Sequence, residues 1–270
     1  MSIFDDVLVG VPSWRRPYNV ARMQEHYDDI LWCLADEKDA KDYRSEGARN
    51  IVISPAKGTC PQRNHLCNIA ELYNQFSCHV DDDLINLHEW HGPRHHQKTP
   101  MTLEKAIEDI FYAMQSADTR YGGALYTENP FSGASRVHTH AFLQASLTVV
   151  NPLDGMRWCE DKVVESKDEW EMTARNIVQH GAVARVDWIL PLFKMGEDPY
   201  SRPNVKNRGG LEKTYETEMA GVREVIDRYP DLIEMSNVPL RLKMIHNIKT
   251  MDKKYRKIYD KVNKEVKQRA

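Results

Sequence analysis

No run of apolar residues in this 270-residue chain approaches the ~20 that a bilayer-crossing helix needs. The opening MSIFDDVLVG places acids where a secretory leader needs a basic stretch and then an apolar one. Both shortages point away from a membrane and from export, and the expected setting is the cytoplasm. Cysteine is sparse as well, with 5 residues at positions 33, 60, 67, 78 and 159, an odd number without paired spacing. That argues against a disulfide framework and fits reduced thiols. No segment repeats and no linker divides the chain, so one domain with a tail is the simplest organisation. A chain this long can bury roughly 75% of its unfolded surface.

Net charge is small too, −3, but unevenly distributed. Residues 241–270 carry 11 Lys/Arg against 3 Asp/Glu, whereas residues 1–240 carry 26 against 37. An acidic body with a basic tail implies a polyanionic partner or an intramolecular clamp.

What the sequence does have is an alternation of short apolar strands and amphipathic helices, the pattern of an α/β sheet. Strands are predicted at 7–11, 30–35, 50–54, 123–126, 142–150 and 182–190, and another is predicted to end in Asp81-Asp82-Asp83. Asn19 is expected to cap a helix reaching Tyr27. Pro61 suits the first position of a helix continued by Leu66, Ile69, Tyr73 and Phe76. Thr102 should cap a third, with Leu103, Ile107, Ile110, Phe111 and Met114 inward, and Gly181 should end a fourth begun near Lys167. Residues 86–100 read as a polar, His-rich loop and residues 196–210 as a loop or lid. Ile248, Met251, Tyr255, Ile258, Val262 and Val266 form the stripe of a C-terminal helix.

The strongest chemical signal is Asp81-Asp82-Asp83. On a strand, alternation turns Asp81 and Asp83 one way and Asp82 the other. Two carboxylates at a strand's carboxyl end make a hard oxygen site for Mg²⁺ or Mn²⁺, and such an ion neutralises diphosphate oxygens. The competing reading is a solvated acidic turn. Two upstream segments favour the site. VGVPSWRRP offers backbone amides, the Ser13 hydroxyl and two guanidiniums after the first strand, and GTCPQRN opens a helix whose amino end attracts anions.

VGVPSWRRP, GTCPQRN and HVDDDL, in that order, resemble the GT-A glycosyltransferases of phage DNA hypermodification, the TET/JBP-associated glycosyltransferase family. SKDEWEMT (166–173), GAVAR (181–185) and RGGL (208–211) continue the likeness, which covers roughly residues 5–215. The resemblance implies a GT-A-like single domain over 1–240, with a mixed, mostly parallel central sheet flanked by helices; the basic amphipathic helix of 241–270 would follow it. It implies a UDP-sugar donor, Mn²⁺ or Mg²⁺ as cofactor, and 5-hydroxymethylcytosine or 5-hydroxymethyluracil in DNA as acceptor, in the host cytoplasm for a phage-encoded chain. Pro12, Ser13 and Arg15 would line the nucleotide, Asp36 would meet the uracil, and Arg63 and Asn64 would sit near ribose or phosphate. Asp81 and Asp82 would face the donor and Asp83, with Asp81, the metal. The family's acidic pair reads Glu-Asp where this chain has Asp168-Glu169. A capping box between Ser166 and Glu169 would occupy Glu169 and leave Asp168 as general base.

A late histidine often joins such a metal shell; His138, His140 and His246 are candidates of equal standing. His88, His91, His95 and His96 lack the spacing of a structural zinc site. Three rival activities stay open: transfer to a glycan or protein, a metal-dependent nuclease, and a non-catalytic protein binding DNA through its basic tail.

Overall fold

The computed structural model describes residues 3–92, 98–125, 129, 132–193, 215–237, 240–245, 257–258 and 260–265. The loop expected at 196–210 and four residues of the expected tail stripe (Ile248, Met251, Tyr255 and Val266) lie outside them, as do His95, His96 and His246. In chain order the elements are β1 (Val7–Pro12), α1 (Val20–His26), β2 (Leu31–Leu34), α2 (Glu37–Ser45), β3 (Asn50–Ile53), α3 (Thr59–Leu72), β4 (Phe76–Val80), β5 (Leu84–Trp90), β6 (Lys98–Pro100), α4 (Leu103–Ala117) and β7 (Tyr121–Ala124). They continue with β8 (Val137–His138), β9 (Leu147–Val150), α5 (Asp168–His180), β10 (Ala184–Val186), β11 (Ile189–Phe193), α6 (Tyr215–Arg228), β12 (Ile233–Met235) and β13 (Leu242–Met244).

Eight strands form the central sheet in the order β3-β2-β1-β4-β9-β7-β10-β8. β3, β2, β1 and β4 are parallel, β9 runs against its two neighbours, β7 and β10 return to the first direction, and β8 opposes β10. This is the expected mixed, mostly parallel α/β sheet flanked by helices. Six strands therefore end on one edge, where open sheets of this kind bind ligands. No helix among the described residues is long and apolar enough to cross a membrane.

Side-chain alternation sorts the strands between two cores. On β4, Cys78 and Val80 join the cluster that contains Ile107, Ile110 and Met114 of α4, while Ser77 and His79 face the other way, towards Cys67 of α3. The second cluster gathers Cys60 and Cys67 of α3 with Met172 and Ile177 of α5 and Val222 and Val225 of α6. Complete burial of one such side chain stabilises by roughly 1.5–3 kcal/mol. α3 lies close on β1 because Gly10 has no side chain: a Cβ there would sit 2.5 Å from a Leu66 methyl. α4 is capped as expected, the Thr102 hydroxyl accepting from the Lys105 N–H at 3.2 Å, and Gly181 ends α5 with a left-handed φ of 82°.

Several expectations are corrected. β4 stops at Val80, and Asp81–Leu84 is a turn closed by the Leu84 N–H on the Asp81 carbonyl at 3.3 Å; the triplet is not on a strand. Residues 86–100 are not simply a loop, for β5 and β6 pair there, and β5 also pairs with β11 in a separate three-stranded sheet. The strand expected at 182–190 breaks at Asp187 into β10 and β11, which belong to different sheets. Pro61 is the third residue of α3, not the first, and Asn19 makes no side-chain capping bond to α1. Nor is 241–270 one helix: Leu242–Met244 is β13, paired with β12. Residues 257–258 and 260–265 are helical and pack on the body through uncharged contacts. Val262 is buried in the first cluster, and Asn263 gives and takes 3.0 Å hydrogen bonds with the backbone of Val137 on the outermost strand.

Candidate functional site

The site is assembled where β1, β2 and β4 end. Gln62 of α3 sends its amide N–H groups to the carbonyls of Ser13 and Cys33, both at 2.9 Å, and so fixes the ends of β1 and β2 against α3. The Ser13 hydroxyl lies 2.5 Å from the Tyr43 hydroxyl and donates to Asp82. Arg16 completes this knot with a 2.8 Å ion pair to Asp82, and Arg22 donates to the Asp82 carbonyl at 3.1 Å. Burial pushes the Asp82 carboxyl up, while Arg16 and the Ser13 hydroxyl pull it back. Asp82 thus locks the acidic turn to the end of β1.

On the turn's other side, Arg63 lies almost wholly buried between two carboxylates, with Asp81 at 3.2 Å and Asp168 at 3.4 Å. Its guanidinium stacks 4.5 Å from the centre of the Trp158 ring. Burial alone would lower its pKa, but Asp81, Asp168 and Glu169 outweigh that and hold it above the usual arginine value. Trp158 is held in turn by Asn64, whose amide donates to the Trp158 carbonyl at 2.9 Å and accepts from its N–H at 2.7 Å, and by His79 at 3.3 Å from the indole nitrogen. Fully buried, His79 is pushed well below the ordinary histidine range and is neutral.

Two acids stand apart from these pairs. Asp83 is half-buried, and no cation among the described residues forms a salt bridge with it. Burial, then Asp81 and Asp82, raise its carboxyl to about 7. Glu169 accepts from the Ala145 N–H at 3.0 Å. Burial, then the neighbouring Asp168, push it up to about 7 as well.

The sequence-predicted residues divide accordingly. Ser13, Arg63, Asp81, Asp82, Asp83, Asp168 and Glu169 come together. Pro12 ends β1 beneath them, buried. Arg15 is exposed, takes a left-handed φ of 56°, and stacks on Trp14 at 4.4 Å; its neighbour Arg16 is the one that reaches the triplet. Asp36 caps α2 by accepting from the Asp39 N–H at 3.0 Å, with Lys57 at 3.6 Å. Asn64 is engaged with Trp158 and with Glu160 at 2.7 Å, and is directed into the fold. The expected capping box is absent: Glu169 bonds to Ala145, and the buried Ser166 hydroxyl has no hydrogen-bond partner among the described residues. Asp168, expected to be free, is held by Arg63 and accepts from the Cys60 thiol at 3.1 Å. Of the histidines, His138 lies 3.8 Å from Asp187, and the His140 ring nitrogen is 3.2 Å from the Thr139 hydroxyl. His91 bonds Thr99 at 2.6 Å, and His88 sits on β5. Tyr43 and Trp158 went unmarked in the sequence. Tyr43 lies in α2, which no expected element covered, and Trp158 sits more than ninety residues from Arg63, with no local pattern to mark it.

No family model matches the chain, and no curated protein matches it.

Proposed function

We propose that this chain is a metal-dependent glycosyltransferase that moves a sugar from a UDP-sugar to a hydroxymethylated pyrimidine in DNA. The carrying observation is that one acidic turn is tied to the end of β1 through Ser13–Asp82 and to the start of α5 through Asp81–Arg63–Asp168. A nucleotide held at β1 would thus lie within one constellation with a divalent ion and a proton acceptor. The DNA acceptor rests on the family resemblance, the donor half on the geometry.

The residues fit Mn²⁺ or Mg²⁺. Asp83 offers a carboxylate without a basic partner among the described residues, Asp81 keeps one oxygen outside its bond to Arg63, and such ions bind through one or two carboxylates plus substrate phosphates. When bound, the ion neutralises the departing diphosphate. Arg63 holds Asp81 and Asp168 in place through its two ion pairs. Asp82 fixes the turn. Glu169, with its carboxyl near neutrality, takes the acceptor hydroxyl's proton, a task suited to a base whose pKa lies close to working pH. Asp168 acts through Arg63 as a positioning residue.

Mass spectrometry of nucleosides from hydroxymethylated DNA incubated with the protein, Mn²⁺ and a panel of UDP-sugars tests this reading. A hexose or pentose mass on the modified base, lost in Asp83→Ala, is expected. Transfer only to glycan or protein acceptors, or cut strands without UDP release, would replace it.

A further inference from the structure

We infer that Arg136 and Arg185, braced by the buried Asp187, form a second anion site that holds a backbone phosphate of the acceptor strand, and that the docked C-terminal helix extends this hold. The inference rests on the nucleic-acid acceptor proposed above. Asp187 follows the end of β10 as Asp81 follows the end of β4, so both lie on the same edge of the sheet. Its carboxylate is 0% exposed and accepts from the Nε of Arg136 at 2.9 Å and from the Nε of Arg185 at 2.8 Å. Two guanidiniums share one carboxylate, which leaves an excess positive charge. Both are gripped through Nε, and no terminal nitrogen of either hydrogen-bonds to Asp187.

Arg185 directs Nη1 to the Phe142 carbonyl at 3.4 Å. Arg136 has its side chain 45% exposed, and its two terminal nitrogens make no hydrogen bond among the described residues. A guanidinium fork so fixed, its terminal nitrogens without a partner among the described residues, is shaped for phosphate oxygens.

Position supports the same ligand. Glu169 is anchored at Ala145, beside the start of β9, and β10 lies two strands further along the sheet, about 10 Å away at the usual strand spacing. A monosaccharide reacting at Glu169 would not reach Arg136, whereas a nucleotide in a strand carries phosphates beyond its base. The tail is docked at this end too: the two Asn263 bonds fall on Val137, the residue after Arg136. With Val262 turned inward, Lys257, Lys261 and Lys264 share the opposite, exposed face by their helical spacing. Asp260, exposed on the same face, and Glu265, 4.0 Å from Lys261, offset two of the three in part. On a body carrying 26 Lys/Arg against 37 Asp/Glu over residues 1–240, this end of the molecule is where a linear polyanion meets favourable charge.

The test is anisotropy of a labelled oligonucleotide with the full-length protein across a salt series. Arg136→Gln should weaken binding about tenfold and flatten the slope of log affinity against log salt by about one unit. The exposed pair Lys261→Ala/Lys264→Ala should flatten it by up to about two. If Arg136→Gln loses its thermal transition, the lysine pair decides. Wild-type slopes in the folded variants, or no binding by the wild type, overturn the inference. A wild type that binds steeply but transfers no sugar sinks the glycosyltransferase reading and leaves this one standing; sugar transfer with unaltered slopes in the variants does the reverse.

Discussion

Glu169 reaches across 24 positions to accept the backbone N–H of Ala145 at 3.0 Å. That bond pins the irregular segment before β9 to the first turn of α5 and sets a carboxyl with a raised pKa beside Asp168. The cause is burial first and the Asp168 charge second, with Arg63 pulling the other way.

Glu169 should therefore govern two pH responses. Its carboxyl rises from the usual 4.5 to about 7 in the fold, so between those values the native state binds more protons than the unfolded one. Its contribution is fully present below about pH 4.5 and is lost as pH rises through about 7. Thermal melts should show Glu169→Gln gaining on the wild type as pH climbs through that window. In transfer assays the wild-type rate should rise through about pH 7, and the variant should fall about a hundredfold or more.

Arg63→Ala should destabilise by about 3–5 kcal/mol, because it leaves Asp81 and Asp168 close together without their shared cation. Arg63→Lys should recover only part of this, since one ammonium cannot reproduce the fork or the stacking on Trp158. Urea unfolding of both variants measures the difference. A cost below about 1 kcal/mol for alanine would show that the buried pairs contribute as little as exposed ones.

Gly10→Ala should cost about 1–3 kcal/mol by overpacking against Leu66, whose nearest methyl would meet the new Cβ at 2.5 Å. Denaturant midpoints give the number. A neutral effect would mean that α3 shifts freely on β1, and donor binding in the same variant would then reveal whether Arg63 moves with it.

Much of this framework was legible in the sequence. Strands β1 to β3, helix α4 with its Thr102 cap and helix α5 with its Gly181 stop all carry local signals of period, cap and breaker. β5 did not, because its buried Leu84 and Leu87 are three apart and its sheet lies off the central one, so no two-residue alternation marks it. The acidic residues of the candidate site were singled out in the sequence, but their partnerships were not. Local capping rules favoured Ser166 for Glu169, while the fold offered Ala145; nothing local could reveal that Arg63 would claim Asp168 from 105 positions away.

The tail gives a further check. Val262→Ala should lower stability by about 1–3 kcal/mol, as expected for a methyl-lined core contact, and an Asn263→Ala change should add to it by unpairing the backbone of Val137. Hydrogen exchange at the Val137 amide reads the second effect directly, and protection equal to wild type would show that the helix does not cover this edge.

The proposed donor site is tested most directly by calorimetric titration of the protein with UDP, in Mn²⁺ and again in EDTA. Saturable one-to-one binding in Mn²⁺, weakened at least tenfold by EDTA and by Asp83→Asn, is the predicted result. UDP that fails to bind, or that binds equally well without the ion and without the Asp83 carboxylate, would contradict the glycosyltransferase reading.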